Sequence, residues 1–127
     1  MEKYNAEPYI YSSNIRAPMA LDAGQAGVSW LSGTASWMMI ALEEYIFGVK
    51  PCFAGLKIKP CIPDEWEKAS VQRYFRGCEY TIEIANAAGC GNNVKEIYLD
   101  GKKFDGEYIL SSTKAASVKV VMGKRSD

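Results

Sequence analysis

The chain has 127 residues, 15 basic against 15 acidic, no histidine and four cysteines, enough for one domain with a modest core or a small domain carrying a piece of another. The basic residues are scattered, so the concentrated positive face needed to bind a phosphate backbone is missing, and nucleic acid is not an expected partner. No basic N-terminal segment leads into an apolar one and no stretch approaches about eighteen apolar residues, so membrane insertion is not expected and a cytoplasmic location is the default.

Cys52, Cys61, Cys78 and Cys90 are unevenly spaced without a C-x-x-C pair. With no histidine to complete a zinc site, they read as free thiols, mostly buried, and no metal or organic cofactor is expected. The lack of histidine also removes the commonest general base, so catalysis within this chain alone would rest on carboxylates.

Residues 1–27 hold Pro8 and Pro18 and sustain neither a 3.6-residue nor a 2-residue period, which predicts loop. Within it, Glu7-Pro8-Tyr9-Ile10-Tyr11 puts a carboxylate beside two aromatics. That combination suits a sugar, while composition alone favours a surface tether with buried tyrosines.

Ser32-Gly33-Thr34 supplies hydroxyl cap candidates ahead of an apolar run, and Gly48 followed by Pro51 supplies a stop. The spacing predicts a helix over 34–47, about fourteen residues long. Only Ser36, Glu43 and Glu44 are polar between Ala35 and Phe47, so the helix is apolar around its circumference, as a buried helix is. A mostly β remainder can cover one side of it, which implies missing neighbours in a longer parent chain or an oligomer. Trp30 and Trp37, seven apart, are expected to share one core-facing stripe.

From Leu56 onward the period becomes 2. Strands are predicted at 56–59, 71–75, 80–84, 94–99, 102–104, 108–110 and 118–122, punctuated by Asp100-Gly101 and Asp105-Gly106. Such spacing predicts an antiparallel sandwich. The Pro60-to-Trp66 segment reads as a rigid crossover with Trp66 packed as an anchor. The expected division is residues 1–50, loop plus helix, and residues 51–127, a β-sandwich.

The helix start at Ser32-Gly33-Thr34 combines free backbone N–H groups, a glycine permitting close approach and two hydroxyls, which is the equipment of an anion site. It is also simply how helices begin, and it is no P-loop, because no lysine follows the glycine and no strand leads in. Glu43 and Glu44 would lie about 15 Å from that start at 1.5 Å rise per residue. Asp64 and Glu65 read as solvated or capping residues, and no carboxylate pair is spaced for paired acid and base work.

In order, Glu7-Pro8-Tyr9, Ser29-Trp30-Leu31-Ser32-Gly33-Thr34-Ala35-Ser36-Trp37, Glu44-Tyr45-Ile46-Phe47-Gly48-Val49-Lys50-Pro51, Gly55-Leu56-Lys57-Ile58, Pro60-Cys61-Ile62-Pro63, Trp66 and Phe75-Arg76-Gly77 resemble the C-terminal end of the inverting sugar phosphorylases. These are the cellobiose, cellodextrin and chitobiose phosphorylases of glycoside hydrolase family 94, earlier placed among glycosyltransferases. The resemblance covers residues 7 to 85, with a looser β tail. It implies a parent with an N-terminal β-sandwich, a helical linker, an (α/α)6 barrel and a jelly-roll-like C-terminal β-domain. This chain would be the terminal helix of the barrel plus that β-domain, an α+β fragment.

In such enzymes phosphate attacks the anomeric carbon while an aspartic acid protonates the departing oxygen, so one catalytic carboxylate suffices. The family's catalytic aspartate and its phosphate-binding arginine and histidine lie upstream of the matched segment, so no catalytic residue is assigned here and the chain alone is expected to be inactive. What carries over is a phosphate contact at Ser32, Gly33 and Thr34, where serine replaces the family's common threonine and keeps its hydroxyl. A sugar-side role carries over to Glu7 and Tyr9. Inorganic phosphate is then a co-substrate and a β-linked gluco-oligosaccharide the substrate. Missing barrel helices, or a partner in a homo-oligomer, would cover the Trp37–Phe47 helix. The alternative is a stand-alone β-sandwich module that binds glycan or protein without catalysis.

Overall fold

The structure is a computed structural model and describes residues 3–7, 10–30, 33–110 and 115–124, with Ala115 described by its backbone alone. Two compact units follow one another along the chain, Met1–Ala41 and Leu42–Asp127.

The described residues before Thr34 form neither helix nor strand, as the lack of a period predicts. They are nevertheless ordered by backbone bonding. An isolated bridge joins Ile15 to Ala26, flanked by Ser13 N donating to Val28 O at 2.8 Å and Arg16 N to Gln25 O at 2.9 Å. The Ala26 N–H donates to Tyr4 O at 2.8 Å, and the Tyr4 hydroxyl lies 3.2 Å from the nearly buried Ser12 hydroxyl. Chain folded over itself in this way satisfies its polar backbone without regular elements.

Helix α1 spans Thr34–Ile40 and passes directly into a π-helix, Ala41–Ile46. The helical run is thus where the pattern places it, but its second half takes the wider register, shown by Phe47 N donating to Leu42 O, five residues back, at 2.8 Å. In that register Glu43 pairs with Arg73, and Ile46 and Phe47 pack against the core of the second unit. The predicted hydroxyl cap is corrected. The residue at the cap position is Gly33, with no side-chain capping bond, and Thr34 is already helical, so its hydroxyl sits one residue too late to cap; Ser32 lies outside the described residues. No residue of either helical segment is buried, and Trp37 is 71% exposed, Met39 56% and Tyr45 60%.

The second unit is mostly sheet. Strands β1, Val49–Cys52, and β2, Gly55–Ile58, make an antiparallel hairpin. A five-stranded sheet comprises β3 (Lys68–Phe75), β4 (Cys78–Ala85), β5 (Val94–Leu99), β6 (Lys102–Phe104) and β7 (Ala115–Met122) in the order β3-β4-β7-β5-β6. Alternation on β4 turns Cys78, Tyr80, Ile82 and Ile84 inward. They join Val118, Val120 and Met122 of β7, Val49, Leu56 and Ile58 of the hairpin, and Ile62 and Ile109 in one core. A five-stranded layer covered on one face by a hairpin is consistent with a sandwich.

Several expectations are corrected here. The sheet is mixed, because β7 inserts parallel to β4 before closing antiparallel on β5. β1 pairs despite Pro51, since a proline is tolerated on an edge strand. Residues 108–110 contribute an isolated bridge from Ile109 to Leu56 in place of a strand. In the crossover, Pro60 and Ile62 are buried while Trp66 is 43% exposed. The fixing is done instead by polar bonds: the Asp64 carboxylate accepts from Gly91 N at 2.8 Å, and buried Asn86 accepts from Cys90 N at 2.8 Å and donates to Trp66 O at 3.1 Å. Of the four thiols, all free, Cys78 is buried, Cys52 and Cys90 are intermediate and Cys61 is exposed, because Cys61 follows the hairpin at a surface position.

Candidate functional site

The first unit gathers what the sequence marks as site-like. The Ser29 hydroxyl donates to Glu7 Oε1 at 3.3 Å across 22 residues of chain. Glu7 is held below the usual glutamate value of 4.5, first by a backbone N–H bond, then by the Ser29 hydroxyl and the Trp30 indole N–H. Trp30 itself sits at φ +63° and is 75% exposed. For a bulky aromatic, a left-handed backbone is a genuine outlier of the kind found at functional sites.

Gly33 has φ −78°, so nothing in its backbone demands glycine. A Cβ built on it would lie 3.7 Å from Trp37 Cδ1 and 3.9 Å from Nε1, which places the Trp37 indole beside this step. Tyr11 is 51% exposed in the same unit. The expectation that Trp30 and Trp37 share a core-facing stripe is corrected: Trp30 precedes the helix, and both indoles face solvent. Ser32 and Tyr9 lie outside the described residues, so of the five assigned positions the structure describes Glu7, Gly33 and Thr34.

Other carboxylates have structural tasks, Glu43 with Arg73 and Asp64 with Gly91. Among the described residues no cluster of cysteines and carboxylates could hold a metal, and no helix is long and apolar enough to cross a membrane. Ser29 as the partner of Glu7 was missed from the sequence; only its place beside Trp30 in a hydroxyl-rich run hinted at it.

Glu7 is depressed, so its bonds to Ser29 and Trp30 are present above its unfolded value and are lost as pH falls through its folded one. A carbon-detected titration is expected to give Glu7 a midpoint below 4.5, and Ser29→Ala is expected to move it upward. A midpoint unchanged by that substitution would show that the hydroxyl contact is not made.

The first unit thus carries two exposed indoles, Trp30 and Trp37, and a Glu7 carboxylate bonded to Ser29, groups that offer apolar ring faces and hydrogen-bond acceptors. Comparison with known proteins adds a family likeness. Residues 1–48 match the model of the Glycosyl hydrolase 94 superfamily, catalytic domain. The chain is 37% identical over 103 residues to a solabiose phosphorylase of Paenibacillus borealis, covering 80% of this chain and 13% of that protein. It is 40% identical over 106 residues to an N,N'-diacetylchitobiose phosphorylase of Vibrio proteolyticus, covering 84% and 13%. A second N,N'-diacetylchitobiose phosphorylase, from Vibrio furnissii, is 34% identical over 118 residues, covering 93% and 15%. The chain is thus similar to the Glycosyl hydrolase 94 superfamily over residues 1–48, and it spans 13 to 15% of the length of these three curated relatives.

Proposed function

We propose that this chain is the C-terminal portion of an inverting phosphorylase that cleaves a β-linked gluco-disaccharide or oligosaccharide with inorganic phosphate to give a sugar 1-phosphate. The observation that carries the reading is the cluster formed inside the segment that matches the catalytic domain: Glu7 bonded to Ser29 and to the indole of Trp30. The names of the relatives, each a disaccharide phosphorylase, support the reaction class.

In this reading the Ser32 hydroxyl and the backbone N–H groups at Gly33 and Thr34 hold phosphate. Helix α1 has seven residues before the π register begins, so directed hydrogen bonds outweigh the helix dipole. Glu7 and Tyr9 serve the sugar side, accepting from hydroxyls, with the exposed indoles offering ring faces. The catalytic aspartic acid comes from the rest of the parent, and the chain alone is inactive. The exposed flank from Trp37 to Tyr45 supports the view that further barrel helices, or a second copy, cover it. The parent is cytoplasmic and needs no cofactor besides its phosphate co-substrate.

The kinetic test is made in the full-length parent. Ser32→Ala is expected to raise the Michaelis constant for phosphate about tenfold, the cost of one hydrogen bond to a charged group, and Gly33→Ala to raise it by setting a methyl group against the bound phosphate, each with the constant for the sugar little changed. A Cβ at Gly33 makes only ordinary contact at 3.7 Å, so a rise in Gly33→Ala cannot be laid to misfolding. Unchanged constants for phosphate in both variants would remove the phosphate site from this turn.

A further inference from the structure

The second unit contains a cavity of about 690 Å3, within the range that holds small-molecule ligands. We propose that it binds a sugar carrying one anionic group, a phosphate ester or a carboxylate, between Lys50 and Lys59. The cavity is built where the hairpin, the end of the π-helix and the turn at Asn92 meet, and three lysines, Lys50, Lys57 and Lys59, line it against a single lining carboxylate, Glu44. In a chain with 15 basic and 15 acidic residues that is a local excess of positive charge, and a concave wall concentrates its field.

The three lysines are not equivalent. Lys57 is neutralised by Glu107 at 2.7 Å and lies over the Tyr108 ring at 5.6 Å. The Lys50 ammonium is held over the Tyr45 ring at 5.0 Å, which fixes the charge without cancelling it. Neither Lys50 nor Lys59 has a carboxylate within ion-pair distance among the described residues. Two cations on one wall, one of them held in place by a ring, await an anion. The rest of the lining suits the body of a sugar. Tyr45 and Tyr108 offer ring area, Glu44 accepts from hydroxyls, and the Asn92 amide both donates and accepts.

The test uses the 127-residue chain and follows backbone amide shifts by NMR during titration with glucose 6-phosphate, glucuronate and neutral glucose. Saturable shifts confined to residues 44–61, 92 and 108 are expected with at least one of the two anions, which also tells a phosphate ester from a carboxylate. Glucose is expected to bind at least about tenfold more weakly, and Lys50→Ala with Lys59→Ala to weaken the anion about tenfold or more, because each removes a charged hydrogen bond. Lys50 and Lys59 are both exposed, so the double variant retains its fold, checked by its unperturbed amide spectrum. The proposal is overturned if neither anion shifts these residues, if glucose binds as well, or if the double variant binds as before. Shifts confined to residues 29–37 would instead place the anion at the hydroxyl-rich turn and equally overturn it.

Discussion

Gly48→Ala is expected to destabilise the chain by about 3 kcal/mol or more in urea unfolding, through left-handed strain and steric overlap together. Gly48 sits at φ +65°, and a Cβ there would lie 1.9 Å from Lys59 O, 2.1 Å from its carbonyl carbon and 2.4 Å from Pro60 N. All three are backbone atoms and cannot swing aside as a side chain would. Relief requires the strand end to move, which would break the bonds from Lys59 N to Gly48 O at 2.8 Å and from Cys61 N to Ile46 O at 2.9 Å. Gly101→Ala separates the two costs. Its φ is +78° with nothing within 4 Å of the added carbon, so it should lose only about 1 to 2 kcal/mol. If Gly48→Ala costs no more than Gly101→Ala, the close approach of the two chain segments is wrong.

Ile82→Ala is expected to cost about 3 to 5 kcal/mol, the upper part of the range for deleting a buried aliphatic side chain. Ile82 is fully buried on β4, with Val71 of β3 on one side and Val118 of β7 on the other in register. Paired strands on both flanks leave the cavity little room to collapse. Thr81, its neighbour, is exposed on the opposite face, and Thr81→Ala should change stability by about 0.5 kcal/mol or less. Since a domain of this size is stable by roughly 5 to 15 kcal/mol, Ile82→Ala removes a large share. Equal effects at 81 and 82 would mean that the face assignment, and with it the register of β4, is wrong.

β3 and β4 were legible because their period of 2 is a local property, and β5 and β6 lie where the Asp100-Gly101 turn signal puts them. The parallel insertion of β7 beside β4 was not, because it depends on pairing between residues far apart, such as Ile82 with Val118. Pro51 hid β1: read alone, it is a breaker, and only the partner strand shows that its missing N–H is harmless. The helix was found by its caps and apolar run, but the π register of Ala41–Ile46 answers to contacts from outside it, the Glu43–Arg73 pair and the core under Phe47.

The candidate site was legible as separate pieces. Glu7 and the Ser29-to-Trp37 run were each singled out, and their meeting through Ser29 is a tertiary fact that no spacing encodes. The two indoles were placed in a core because apolar aromatics usually belong there, whereas here Trp30 stands before the helix in a left-handed turn. A helix with Trp37, Met39 and Tyr45 all exposed conflicts with its own composition, and such conflicts between local pattern and surroundings mark functional or interaction surfaces.

The central claim is that this chain belongs to a phosphorylase acting with inversion, and the anomeric configuration of the first-formed product tests it most directly. The full-length parent, given a β-linked gluco-disaccharide and inorganic phosphate, is followed by proton NMR of the anomeric signals before mutarotation or reversal. Direct attack by phosphate opposite the departing oxygen predicts the α-sugar 1-phosphate, formed only when phosphate is present. A β-sugar 1-phosphate, or free sugar released at the same rate without phosphate, would contradict it.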